Sequence, residues 1–247
     1  MATRERMSGR SSRAEIPAAA VRSAAILVLL ALSGTVLAGV TRADPTAAVI
    51  SGSSPDGLGT WAVHYQRLGT DDATAGIIND HIDAEANREV TQAVWDGSTR
   101  RPWTFDAAGT VSIRATTVSE VFVGSYNTAE PHMPMQSVGS VVCDAGSGDI
   151  ITWDNLFGDK TAGLIRLGEQ VEVQVSKVVS PTQLRDWRRA GQFAPVDVNF
   201  KHWIPTDQGI EFHFPPGQFG PGVKIVTVPW SAIHDQIVPR YLSITEG

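Results

Sequence analysis

NFKHWIPTDQGIEFHFPPGQFGPGVKIVTVPWSAIHDQIV, residues Asn199 to Val238, is the stretch whose pattern decides the fold class. In Ile210-Glu211-Phe212-His213-Phe214 apolar residues alternate with polar ones, the period of a half-buried strand, so Ile210, Phe212 and Phe214 are expected to face a core. Upstream, Phe200-Lys201-His202-Trp203-Ile204 is a second aromatic-rich run. Pro205-Thr206-Asp207-Gln208-Gly209 between the two supplies turn residues, and the pair reads as an antiparallel hairpin. Pro215 to Gly222 holds three prolines and three glycines, which excludes regular structure. Val223 to Val228 then reads as a third strand that Pro229 ends. Trp230, Ile233 and Ile237 at helical spacing predict a short closing helix.

This block resembles the C-terminal domain shared by RsiV-type anti-sigma factors and the mycobacterial secreted immunogenic antigens. The likeness is carried by Asp207 to Gly217 and by Val228-Pro229-Trp230-Ser231-Ala232-Ile233, with an echo at Pro131-His132 and at Ile150 to Phe157. It implies an α+β fold in which a β-grasp-like, mixed but mostly antiparallel sheet packs on one long helix and one or two shorter ones. A cystatin-like curled sheet around the same helix is the alternative. The likeness to RsiV-type ectodomains further implies lysozyme, a basic extracellular protein, as a partner, and carries His132 over by its position after Pro131. This chain departs from its relatives at Thr128-Ala129-Glu130-Pro131-His132, where glycines usually precede the histidine, and in having one cysteine.

The N-terminal stretch has a different composition. Arg4, Arg6, Arg10, Arg13 and Arg22 precede an uncharged apolar run, Ala24 to Val40, followed by Thr41-Arg42-Ala43. These are the parts of a secretory signal cleaved after Ala43, and the run is also about long enough for a membrane anchor, so residues 1–43 are read as one or the other. Either reading puts the rest of the chain outside the cytoplasm, secreted or on the outer face of the envelope. Residues 1–43 hold six arginines and two glutamates, so residues 44–247 carry 14 basic and 24 acidic side chains, a net charge of −10. Nucleic acid and anionic lipid are poor partners for such a surface, whereas a cationic protein would be steered towards it. Cys143 is alone, so no intramolecular disulfide is available.

Between leader and C-terminal block, residues 44–59 are rich in Ser, Gly and Pro and read as a flexible tether, with residues 60–247 as one domain. Trp61 to Leu68 reads as the first strand. Ile78, Ile82, Ala86, Val90 and Val94, at steps of four behind candidate caps at Thr70 to Thr74, predict the long helix, whose His81, Glu85, Arg88, Glu89 and Gln92 are expected on a solvated face. Thr110 to Tyr126 is β-rich with a bulge or turn near Val118. Val138 to Asp144 and Asp149 to Trp153 read as a hairpin around Ala145 to Gly148. Leu164, Leu167, Val171, Val175 and Val178 fit a helix face, while Val171, Val173 and Val175 fit a strand and Gly163 and Gly168 weaken the helix; length and the resemblance favour the helix. Ser180-Pro181 begins and Gly191 ends a cleaner helix.

Chemistry is sparse. Ser147 in Ala145-Gly146-Ser147-Gly148 lacks the strand and helix of a nucleophile elbow. Cys143, among Ser140, Val141 and Val142, reads as a small apolar strand residue rather than a thiol paired with His132. His64, His132, His202, His213 and His234 show no metal-ligand spacing, and Glu211 with His213 shares one strand face. No glycine loop opens a helix to hold a nucleotide, so no cofactor and no metal are expected. The chain therefore reads as a binding module rather than an enzyme. An envelope hydrolase with a cryptic site and a signalling ectodomain that senses lysozyme are the alternatives. Two loops are apolar where loops are usually polar, Pro131 to Met135 and Pro215 to Gly222. Met133, Met135 and Phe219, with His132, are accordingly the candidate partner-binding residues, unless these loops fold back over the core.

Overall fold

The computed structural model describes residues 44–127 and 135–246. The expected signal or anchor over residues 1–43, and His132 and Met133, lie outside the described residues. The described chain is α+β and largely antiparallel, as the sequence predicts, but its strands divide into a five-stranded and a three-stranded sheet.

The first sheet runs β1 (Thr46–Ser53), β2 (Gly59–Arg67), β3 (Trp103–Ile113), β4 (Thr117–Tyr126), β5 (Gln136–Asp144) in spatial order. Strand β1 corrects the tether reading of residues 44–59. The Ser and Gly around it obscure Ala47-Ala48-Val49-Ile50, which pairs antiparallel with β2 without a break from Thr46↔Arg67 to Ser53↔Thr60. The turn between them is held by Ser54, whose hydroxyl accepts the Gly59 N–H at 2.7 Å.

Helix α1 (Ala73–Asp96) connects β2 to β3, and these two are the parallel pair, since a parallel neighbour requires a crossover. Asp72 caps it by accepting the Ala75 N–H at 2.8 Å. Ile78, Ile82, Ala86 and Ala93 on α1 pack with Val63, Phe105, Val118, Phe122 and Cys143 of the sheet. The β3–β4 connection is a turn at residues 114–116 rather than a bulge, with the Arg114 N–H donating to the Thr117 carbonyl at 2.8 Å.

The second half builds its own core. After a one-turn helix, α2 (Trp153–Leu156), α3 (Lys160–Ser176) starts at the Asp159 cap and α4 (Pro181–Arg189) at Ser180. The three-stranded sheet follows as β6 (Trp203–Pro205), β7 (Gly209–Phe214) and β8 (Lys224–Pro229), both pairings antiparallel. Ile210, Phe212 and Phe214 face this core as expected, meeting Leu164, Leu167, Val171 and Val175 of α3. Val178 lies outside the helix face, exposed beyond its end.

Two local expectations give way. Asp149 to Trp153 does not form a strand; only Cys143 and Ile150 bridge, because Asn155 turns the chain into α2 by bonding Ile150 and Thr152. The closing helix is instead two 3-10 turns, Trp230–Ala232 and His234–Gln236, whose buried Trp230, Ile233 and Ile237 keep the predicted inward face. The halves meet at β5. Val141 and Cys143 look towards α1, Val142 looks into the second core, and the Trp203 N–H donates to Ser140 Oγ at 3.0 Å.

Candidate functional site

Of the four residues singled out on the two apolar loops, two lie within the described chain. Met135 is 55% exposed, and its carbonyl accepts the Tyr126 N–H at 3.0 Å, which pins the end of its loop to β4. Phe219 is only 4% exposed, which corrects its reading as a contact residue. Its ring stands edge-on to Phe214 at 4.7 Å and contacts Phe193 and Trp187 at 5.3 and 5.1 Å.

Phe219 is thus a buttress that holds the Pro215–Gly222 loop down from beneath. The loop is further closed by the Gly217 N–H on the Gly220 carbonyl at 2.9 Å and by Gln218 Nε2 on the Asn199 carbonyl at 3.0 Å. Gly217 and Gly220 take φ of 95° and 100°, a backbone that side chains resist. The structure brings this loop to the start of β5: a Cβ on Gly222 would stand 3.6 Å from Oε1 of Gln136, the residue after Met135.

Beneath this surface runs a polar seam that sequence reasoning missed. Glu85 and Glu89 of α1, expected on a solvated face, are buried against β5. Gly139 makes their room, since a Cβ there would lie 2.5 Å from Glu89 Oε1 and 2.6 Å from Glu85 Oε1. A glycine inside a strand marks such a close approach, and Val138-Gly139-Ser140 carried that signal. Ser137 donates its hydroxyl to Glu89 Oε2 at 2.7 Å, and Arg88 pairs with Glu85. Burial raises the Glu89 carboxyl above its usual range, against the pull of Ser137, Lys201 and Arg88. The Lys201 ammonium is lowered, first by burial and then by Arg88.

The seam continues onto the hairpin. Burial, then Lys201, Arg88 and His213, pushes His202 down to about 3, so its imidazole is neutral at physiological pH. On the neighbouring strand the His213 ring and Glu211 Oε1 are 2.8 Å apart, and the His213 N–H donates to the His202 carbonyl at 2.9 Å. Glu211 and His213 therefore do meet, as their shared face implies. His213 is buried and Glu211 half-buried, so the pair lies along β7, and it is the His213 backbone bond to His202 that links the hairpin.

The remaining candidates resolve locally. Cys143 is fully buried and its thiol is pushed up to about 12, first by burial and then by Asp144, the opposite of an activated nucleophile. Ser147 sits in a tight turn whose N–H groups at Gly146 and Ser147 both bond Asp144 Oδ1, at 2.8 and 3.0 Å. A cleft of about 440 Å³ opens where the β3–β4 turn faces the hairpin turn. It is bridged by Arg114 and Asp207 at 3.0 Å. Among the described residues no three His, Cys, Asp or Glu side chains group as a metal site.

With this geometry the relatives can be placed. Residues 154–231 match the family model of DUF3298, a protein of unknown function. That region runs from α2 to the first 3-10 turn after β8 and contains the hairpin that decided the fold. Two solved structures are similar over more of the chain. A DUF3298 family protein from Pseudomonas aeruginosa PAO1 has a TM-score of 0.50 at 11% identity, covering 79% of this chain and 94% of that one. A DUF3298 family member from Bacteroides fragilis NCTC 9343 has a TM-score of 0.56 at 13% identity, covering 82% and 96%. At such identities the likeness is one of fold, and it extends beyond the DUF3298 region into the five-stranded sheet. No curated protein matches the chain.

Proposed function

We propose that this protein is an exported binding module of the cell envelope or its surroundings, of the RsiV and immunogenic antigen type, that captures a protein partner and catalyses no reaction itself. The observation that carries this reading is the approach of the Pro215–Gly222 loop to the start of β5 beside Met135. Exposed Met135 directly precedes half-buried Gln136, whose Oε1 adjoins Gly222 of a loop that Phe219, three prolines and an internal hydrogen bond hold rigid. A rigid loop pays little ordering entropy on binding, and an exposed methionine adapts its shape to a partner. The buried, protonated Cys143 thiol supports the absence of thiol chemistry.

The partner class is a basic extracellular protein, with lysozyme the candidate that the family resemblance implies. Residues 44–247 carry a net charge of −10, which speeds encounter with a cation and loses that effect as salt rises. Titration of the purified protein with lysozyme at low and physiological salt tests this, beside a Met133→Ala/Met135→Ala variant. Saturable binding that the variant weakens is expected. No binding at either salt removes lysozyme, and equal binding by the variant removes these loops. Export is tested separately by mass measurement. A chain beginning at Asp44 is expected, and an intact membrane-bound chain would replace the cleaved leader with an anchor.

A further inference from the structure

The two sheets have four edges, and among the described residues three are closed to a further strand. Beyond β5 stand the Cys143–Ile150 bridge and the Ser140–Trp203 hydrogen bond. Strand β6 is three residues long and ends in Pro205, and β8 begins with Lys224 and ends with Pro229. Short length, lysine and proline are the usual means of protecting an edge.

Strand β1 has none of them. It is eight residues long, its register with β2 is unbroken by any bulge, and Thr46-Ala47-Ala48-Val49-Ile50-Ser51-Gly52-Ser53 contains no charge and no proline. No described strand pairs with its outer side. Val49 on it is 57% exposed, although alternation would permit a polar residue there. A long, regular, uncharged edge offers its free N–H and C=O groups to another strand.

We propose that β1 is the surface on which a second copy of this chain docks, strand β1 against strand β1 in antiparallel register, joining two five-stranded sheets into one. The occupant follows from the side chains. A strand without charge meets its own copy with no like-charge pair across the ladder, whereas a basic peptide would find no acid on the strand to answer it. An antiparallel pair of identical strands is a closed two-fold contact, so association stops at the dimer. Asp44 and Asp56 flank the strand, and each copy carries net negative charge over residues 44–247. Salt therefore strengthens the dimer, opposite to its effect on capture of a basic partner.

Sedimentation equilibrium of the purified protein over a wide concentration range, at low and high salt, tests the proposal. A monomer–dimer equilibrium that salt favours is expected. Val49→Lys should raise its dissociation constant by at least about tenfold, since pairing centred on Val49, which sets Thr46 opposite Gly52, would place two lysines opposite each other. Ala47→Lys, at a second exposed position of the strand, faces Ser51 of the other copy and should also weaken the dimer, as a lysine placed on an open edge does, if the first variant folds poorly. A protein that stays monomeric at every concentration and salt, or a dimer that both lysine variants leave intact, overturns the proposal. Lysozyme binding is measured independently, so either idea can fail alone.

Discussion

Oε1 of Glu120 on β4 accepts the backbone N–H of Gln66 on β2 at 2.9 Å, reaching across the strand between them. It can do so because β3 carries Gly109 at the crossing, where a Cβ would stand 2.2 Å from that oxygen. The β2–β3 ladder ends at His64↔Ala108. Beyond it the Glu120 carboxylate and Gln66 Oε1, which accepts the Val111 N–H at 3.2 Å, replace the bonds the parting strands would otherwise lose. Glu120 Oε2 is buried and has no partner.

A carboxyl in that position makes stability pH-dependent. Burial raises Glu120 from 4.5 to about 7, assisted by the charge of Asp83 and opposed by the Gln66 bond. The folded state thus holds this proton more tightly than the unfolded chain does. Its contribution is complete below pH 4.5, falls as pH rises towards 7 and is lost above it. The size is on the order of 3 kcal/mol. Denaturant midpoints across this range should show the decline, and Glu120→Gln, which cannot ionise, should flatten it. An undiminished slope in the variant would assign the titration to another group.

Two glycines should respond to alanine with opposite signs. A Cβ on Gly209 would stand 2.0 Å from the Val228 carbonyl oxygen, a backbone atom of the paired strand, so Gly209→Ala must force β7 from β8. A loss of roughly 3 kcal/mol is expected. Gly76, exposed in the first turns of α1, has nothing within 4 Å of that position. Gly76→Ala should therefore stabilise by about 0.5 to 1 kcal/mol through helix propensity alone. Thermal melts of the pair check both, and a shift of the same sign in both would contradict the packing.

Phe212 and Phe219 lie on different segments but both belong to the aromatic core. Phe212 is fully buried among Trp153, Phe200 and Phe214, and Phe212→Ala should cost about 3 to 5 kcal/mol. Phe219→Ala should cost a comparable amount, because its ring also fills space beside Phe214. Met135→Ala should leave stability within about 0.5 kcal/mol. Equal denaturant midpoints for Phe219→Ala and Met135→Ala would return Phe219 to the surface.

The hairpin and the helices were legible because their signals are local. Ile210, Phe212 and Phe214 alternate, α3 repeats an apolar residue every three or four positions, and Ser180-Pro181 marks a start. What escaped depended on distant partners. Strand β1 is a strand because β2 lies beside it, not because Ser51-Gly52-Ser53 favours extension. Glu85 and Glu89 read as solvent-facing because carboxylates usually are, and only Gly139, some fifty residues away, argues otherwise. Phe219 was read from its loop, whereas its position is decided by Trp187 and Phe193. The candidate surface is legible only in part, since Met135 stands out in the sequence but the approach of its neighbour Gln136 to Gly222 requires the fold.

Cys143 offers a test of the first core and of the absence of thiol chemistry together. Its sulfur is fully enclosed between α1 and β5, and the thiol is pushed up to about 12 by burial and the nearby Asp144 carboxylate. The reactive thiolate is therefore scarce at neutral pH, and the reagent must also wait for β5 to part from α1. Labelling of the native protein by a thiol reagent should accordingly be slow. It should accelerate with denaturant in step with unfolding, because opening of this core exposes the sulfur. The Glu120 effect supplies a cross-check, since the same core loosens above neutral pH. Glu120→Gln should then slow labelling relative to the wild type at alkaline pH, beyond any change in thiolate population, which the two proteins share. Rapid stoichiometric labelling of the folded chain would mean that Cys143 is accessible, and it would reopen the question of a nucleophile at the β5 edge.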